Sequence, residues 1–134
     1  MNIVGIHHVS LTTRDLARAV DFYRGVFGLR QIPRPAFSTA GAWLVLGADR
    51  LHLIVNAEGT FRRKPHIDTG DVHFAVNVTD FDATLAALQA HGFDEALPDG
   101  DPHRIVVLRD SLAGFKQAYL LDPDSNIIEI NGAS

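Results

Sequence analysis

The amino-acid sequence predicts an α+β fold made of two copies of one unit, each a strand, a helix and three further strands. Three observations predict it. Residues 8–16 (HVSLTTRDL) and 73–81 (HFAVNVTDF) share one pattern: a His, alternating apolar and polar residues, then an Asp seven positions on, followed by a large apolar residue. Each stretch runs into a helical pattern that ends at a glycine, Gly28 or Gly92. Short strand-like segments follow both helices. A repeat of this size marks two copies of one supersecondary unit. If the units pair about a pseudo-two-fold axis, His8 and His73 face each other, which is how a small fold can build a metal site from distant segments.

The elements follow in order. Residues 3–12 alternate well enough for a strand, with Val9 and Leu11 on one side and His8, Ser10 and Thr12 on the other. Asp15 is placed to cap a helix in which Leu16, Ala19, Val20, Tyr23, Val26 and Phe27 recur at helical spacing. Gly28 ends that helix. Residues 29–33, 42–46 and 50–55 are the next strands, with turns at Gly41 and at Gly47-Ala48-Asp49. In the second unit, Val72, Phe74, Val76 and Val78 make one face of a strand, and His73, Ala75 and Asn77 the other. Asp80 caps a helix carrying Phe81, Thr84, Leu85 and Leu88, which Gly92 ends. Residues 93–97, 117–121 and 127–131 are the later strands. Residues 104–109 are apolar enough to add one more before 110–114 break it. The polar stretch 56–70, with its Arg62-Arg63-Lys64 triplet, reads as a linker with a solvated basic surface. The whole chain is expected to be one domain: unit one about 1–56, linker about 57–70 and unit two about 71–134.

Composition narrows the function. A chain of 134 residues that is 46% hydrophobic can bury a proper core. The net charge of −4, with no basic stripe, argues against nucleic acid as a partner. There is no cysteine, so neither disulfides nor thiolate ligands are available. No apolar run approaches ~18 residues, so no membrane span is expected. The N-terminal MNIVGIHHV lacks the basic start of a secretion signal, and a cytoplasmic location is expected. A metal site here has to use His, Asp or Glu, which suits Zn, Ni, Co, Mn or Fe(II).

Strand parity locates the chemistry. Small polar residues beside a His, on the face opposite the large apolar residues, describe a solvated cavity better than a packed core. Along 51–55, His52 alternates with Leu51 and Leu53; along 127–131, Glu129 alternates with Ile128 and Ile130. His52 and Glu129 therefore hold corresponding positions in the two units. The two-fold would gather His8, His52, His73 and Glu129. A carboxylate among Ile127, Ile128 and Ile130 is costly unless paired, and a metal offsets that cost. His7 has the opposite parity to His8 and reads as structural, and Trp43, Phe37 and Phe115 are candidates to line an apolar pocket.

The segments IHHVSLTTRDLARAVDFYRGVFGL, LHLI, DVHFAVNVTDFDATLAALQAHGF and YLLDPDSNIIEI resemble, in order and spacing, the vicinal oxygen chelate superfamily. This group includes glyoxalase I, methylmalonyl-CoA epimerase, extradiol dioxygenases and fosfomycin- and bleomycin-resistance proteins. The resemblance implies paired βαβββ units enclosing one divalent metal ion, with His8, His73 and Glu129 as ligands and His52 as a fourth. It implies a small-molecule substrate with two adjacent oxygens, an enediolate or enolate stabilised by the metal, and Glu129, or a metal-bound water, as the group that moves the proton. Tyr119 corresponds to a substrate-contacting Tyr of fosfomycin-modifying relatives. Ser10 and Trp43 are further substrate-binding candidates, and a homodimer is the expected assembly. The chain departs from its relatives in three places. His52 stands where glyoxalase I carries a second Glu and the epimerase a Gln. The DPDG turn reads DPDS at 122–125. No Arg follows Glu129 as in fosfomycin-modifying members, and no glutathione-binding set is evident. The leading reading is a glyoxalase-like lyase or isomerase. The alternatives are an extradiol-type Fe(II) dioxygenase using His8, His73 and Glu129, and a metal-free drug-binding protein.

Overall fold

Asp15 and Asp80 each start a ten-residue helix, and each does so with its carboxylate. Asp15 Oδ1 accepts from the Arg18 backbone N–H at 3.0 Å, and Asp80 Oδ1 from that of Ala83 at 2.9 Å. Both satisfy an N–H that the helix itself leaves without a partner. In the computed structural model, which describes residues 1–133, the chain forms two compact units, Met1–Phe61 and the residues from Arg62 onward.

Unit one contains β1 (His8–Thr13), α1 (Leu16–Gly25), β2 (Gln31–Ile32), β3 (Gly41–Leu46) and β4 (Asp49–Val55). Unit two contains β5 (His73–Val78), α2 (Phe81–Ala90), β6 (Val106–Leu108), β7 (Gln117–Leu121) and β8 (Ile127–Gly132). Each forms a four-stranded mixed sheet, in the orders β1-β4-β3-β2 and β5-β8-β7-β6. The first strand of each unit runs parallel to the last, and the other pairings are antiparallel. The chain is thus βαβββ twice, an α+β fold as its sequence predicts.

The main core of each unit lies between helix and sheet, where strand parity sends it, and unit two adds a smaller cluster of Tyr119, Leu121 and Ile127 on the opposite face. Ala19, Phe22 and Tyr23 of α1 are buried, as are Ala42, Leu44, Leu51 and Leu53 from β3 and β4. In unit two, Phe81, Leu85 and Leu88 of α2 are buried, with Ala118, Leu120, Ile128 and Ile130 from β7 and β8. The registers match: Leu44 stands opposite Leu51, and Leu120 opposite Ile128. Gly132 sits under the start of α2, where a Cβ would lie 3.1 Å from that of Phe81.

Four local expectations change. The first strand starts at His8, not Ile3, and Ile3, Val4 and Ile6 are exposed. Its partner β4 begins at Asp49 after the Gly47-Ala48 turn, so no ladder exists for the earlier residues. Val72 likewise precedes β5 and is exposed. Residues 93–97 do not form a strand, and 106–108 do. The guanidinium of Arg104 donates to the carbonyls of Glu95 and Leu97, and Asp94 Oδ1 accepts from the Ala96 N–H, leaving only a single bridge between Asp94 and Arg104. Lastly, Arg62 is no surface charge: its side chain is 7% exposed, pairs with Asp71 at 3.2 Å and donates to the carbonyls of Ser125, Lys64 and His66. It fastens the segment before β5 to the turn before β8.

That turn carries a non-glycine residue in the left-handed region, Ser125 at φ 66°. Asp122 holds it closed, with Oδ1 accepting from the N–H groups of Asp124 and Asn126 and Oδ2 from the Asn126 amide. Among the described residues, no helix is long and apolar enough to cross a membrane.

Candidate metal and substrate site

On the face of the unit-two sheet that α2 does not cover, β5, β7 and β8 bring together His73, Gln117, Tyr119 and Glu129. Register puts Glu129 between Ala75 and Tyr119, and the small Ala75 leaves room beside the carboxylate. Glu129 is buried, 6% exposed. Its Oε1 accepts from Gln117 Nε2 at 2.6 Å, and its Oε2 lies 2.9 Å from His73 Nε2. Gln117 Nε2 also donates to the Tyr119 hydroxyl at 3.1 Å. Leu121 and Ile127, with Ile67 and Val106 against them, bury the Tyr119 ring. Burial first, then the charge and hydrogen bond of Glu129, push the Tyr119 phenol above its ordinary value, so it stays an O–H donor at neutral pH.

The far nitrogen of His73 decides what its near one can do. Nδ1 is 2.7 Å from the Asp71 carbonyl oxygen, which can only accept, so Nδ1 carries the proton. In neutral His73 the lone pair of Nε2 then faces a carboxylate oxygen, and two acceptors 2.9 Å apart repel. A positive charge has to join them, either a proton on Nε2 or a cation held by both. The separation suits both options, since two adjacent ligands of an octahedral ion at about 2.1 Å stand about 3 Å apart. A backbone carbonyl on the far nitrogen is also the usual arrangement behind a metal-ligating imidazole.

Unit one presents its donors differently. His52 stands opposite Ser10 and Trp43 across β1, β4 and β3, with the Trp43 ring stacked on it at 4.4 Å and 8°. The His8 ring stacks on it at 4.0 Å and 17°. His52 Nε2 is buried and without a hydrogen-bond partner, a costly state for a polar atom unless something else meets it. His8 Nδ1 shares a proton with His7 Nδ1 at 2.9 Å. Imidazole lone pairs lie in the ring plane, so two nearly parallel rings do not aim at one point; exposed His8 has to turn before it and His52 serve one ion. Ser10 is exposed on the same face. Among the described residues, no three His, Cys, Asp or Glu side chains are gathered to hold a metal ion.

Burial first, then the charges of His8, His7, Arg50 and Arg34, hold His52 below its ordinary value of 6.5. The folded chain keeps it neutral while the unfolded chain protonates it. The resulting stability is complete above about pH 6.5 and is lost as the pH falls through the lower folded value, because the unfolded state binds more protons in that window. His52→Gln is expected to flatten this part of the profile in chelator-treated protein, measured by urea unfolding from pH 7.5 downward in about half-unit steps. An unchanged slope would show that His52 titrates normally.

Gln117 and the Asp71 carbonyl were not legible as site groups. Gln117 has the parity of Tyr119, two residues away, and that signal could have found it. Phe37 and Trp43 line a cavity of unit one, whereas Phe115 lines a separate groove of unit two.

Two βαβββ units, each with imidazole or carboxylate donors on the face away from its helix, define an α+β protein of the vicinal oxygen chelate type. Residues 5–130 match the family profile of the Glyoxalase/Bleomycin resistance protein/Dioxygenase superfamily, and the chain belongs to that superfamily. It is 29% identical to a 2-epi-5-epi-valiolone epimerase from Actinomyces sp, over 90% of this chain and 74% of the relative. It is 26% identical to Glyoxylase I 4 of Arabidopsis thaliana, over 97% of this chain and 71% of the relative. Among solved structures, a glyoxalase family protein from Bacillus anthracis superposes with a TM-score of 0.78 at 22% identity, over 100% of this chain and 98% of the other. A fosfomycin resistance protein from Listeria monocytogenes gives 0.73 at 14% identity, over 99% and 96%.

Proposed function

We propose that this chain is a divalent-metal-dependent lyase or isomerase of the glyoxalase type, acting on a small molecule with two adjacent oxygens. One observation carries the reading: His73, its tautomer set by the Asp71 carbonyl, faces the buried Glu129 carboxylate across 2.9 Å, a contact that requires a positive charge. The repeat-related position holds His52, whose Nε2 has no partner. Three imidazoles and a carboxylate fit Zn, Ni, Co, Mn or Fe(II). His73 and Glu129 would hold the ion with His8, and His52 would be the fourth donor. When bound, such an ion supplies Lewis-acid stabilisation of negative charge on the substrate's two oxygens.

The remaining chemistry belongs to the side chains. Glu129 takes the carbon-bound proton and returns it. Gln117 holds the other carboxylate oxygen, which fixes the plane of the carboxylate and keeps the proton on one side. Tyr119, kept protonated by its surroundings, donates a hydrogen bond to Glu129 or to a substrate oxygen. The relatives named as an epimerase and a glyoxylase support a reaction of this class. The reading includes a homodimer; Ile3, Val4, Ile6 and Val72 are exposed, and β1 and β5 are edge strands of their sheets.

The test uses protein purified without chelators. It is expected to carry about one divalent ion per chain and to exchange the carbon-bound proton of an α-hydroxycarbonyl substrate for deuterium, without oxygen uptake. Fe(II)-dependent oxygen uptake with a catechol, or exchange that survives complete metal removal, would overturn it.

A further inference from the structure

Above the unit-one sheet lies a cavity of about 440 Å³, within the range of small-molecule sites. Phe37, Trp43 and Ile54 give it apolar walls, and His52 and Arg34 also line it. No carboxylate does. The Arg34 guanidinium is held in place before any ligand arrives. Its NH1 donates to the Thr39 carbonyl at 2.9 Å, its NH2 to Thr39 Oγ1 at 3.4 Å, and its Cζ lies 4.8 Å from the centre of the Phe37 ring. Arg34 Nε, by contrast, is buried and without a partner. Arg50 adds positive charge on the same face, its Cζ 5.8 Å from the centre of the Trp43 ring.

A guanidinium held at the wall of a cavity that no carboxylate lines is a fixed positive charge, and an anion entering the cavity offsets the cost of its partial desolvation. Flat or apolar side chains, Phe37, Trp43 and Ile54, make up one part of the cavity wall, and Ser38 and Thr39 flank the guanidinium. We infer that this cavity binds small acids with a flat apolar body, and that Arg34 is the residue that selects for their anionic group. Calling such an acid the substrate rests on the function proposed above; its binding does not. His52 lines the same cavity, so a molecule anchored by Arg34 extends beside a donor of the metal set. A charge-assisted hydrogen bond to a carboxylate adds affinity that a neutral amide of the same shape cannot match.

Trp43 is the single tryptophan of the chain and forms part of the wall, so its fluorescence reports occupancy directly. The probes are phenylacetate, phenylacetamide and acetate, titrated into the full, chelator-treated chain. Phenylacetate is expected to change the emission saturably and to bind at least about tenfold more tightly than either comparison compound. Arg34→Met, which keeps the apolar stem, is expected to remove that advantage and to lower phenylacetamide affinity much less than that of phenylacetate. Equal affinity for acid and amide, no saturable response to phenylacetate, or unaltered phenylacetate affinity in Arg34→Met would each overturn the assignment. The native-protein comparison stands even if the variant does not fold. A chain that binds phenylacetate in this way yet takes up no divalent ion would keep this assignment and sink the metal reading.

Discussion

Glu129→Gln is expected to lower carbon-bound proton exchange by about 10²–10⁴-fold, the usual worth of a positioned general base. Metal occupancy should fall less. The substitution keeps the shape of the side chain and leaves an oxygen to accept from Gln117, so the network around Tyr119 survives. What disappears is the proton-accepting oxygen, and with it the negative charge facing His73. An amide N–H in that place can donate to the His73 lone pair directly, which relieves the repulsion that otherwise calls for a proton or a cation. Some loss of metal is therefore expected as well. Deuterium exchange followed by NMR, with metal content measured on the same samples, separates the two effects. A rate that falls only in proportion to occupancy would show that Glu129 is a ligand and not the base.

Ile128→Ala should have the largest effect on stability, about 2–5 kcal/mol. Ile128 is fully buried on β8, the strand flanked by β5 and β7, with Phe74 opposite on one side and Leu120 on the other. Its face of the sheet is the one α2 covers, so little can collapse into the space left behind. Set against a typical net stability of about 5–15 kcal/mol, such a loss is a large fraction of the total. Urea unfolding should show a lower midpoint at unchanged slope. A cost under about 1 kcal/mol would mean that the site closes around alanine and that the core is looser than its burial implies. Parity adds a control: Ile128 and Glu129 point to opposite faces, so the folded fraction of the variant should retain its proton exchange.

Short-range physics was legible in the sequence. The caps at Asp15 and Asp80, the helices behind them and the alternation along β4 and β8 depend on residues within a few positions of one another. The repeat then tied His52 to Glu129, and the strand registers place them equivalently, opposite Ser10 and Ala75. What the structure alone decided depends on which residues meet across strands and loops far apart in the chain. Hydropathy favoured 93–97 as a strand, but Arg104 takes its carbonyls. A charged triplet read as solvated, but Arg62 reaches Ser125, 63 positions away, and is buried there. Nothing in local pattern shows that the Asp71 carbonyl sets the tautomer of His73, that Gln117 bridges Tyr119 and Glu129, or that His52 is clasped between His8 and Trp43. Composition and period choose which face a side chain occupies; the hydrogen bond or stack it makes there is set by register and rotamer, which exist only once the sheet has formed.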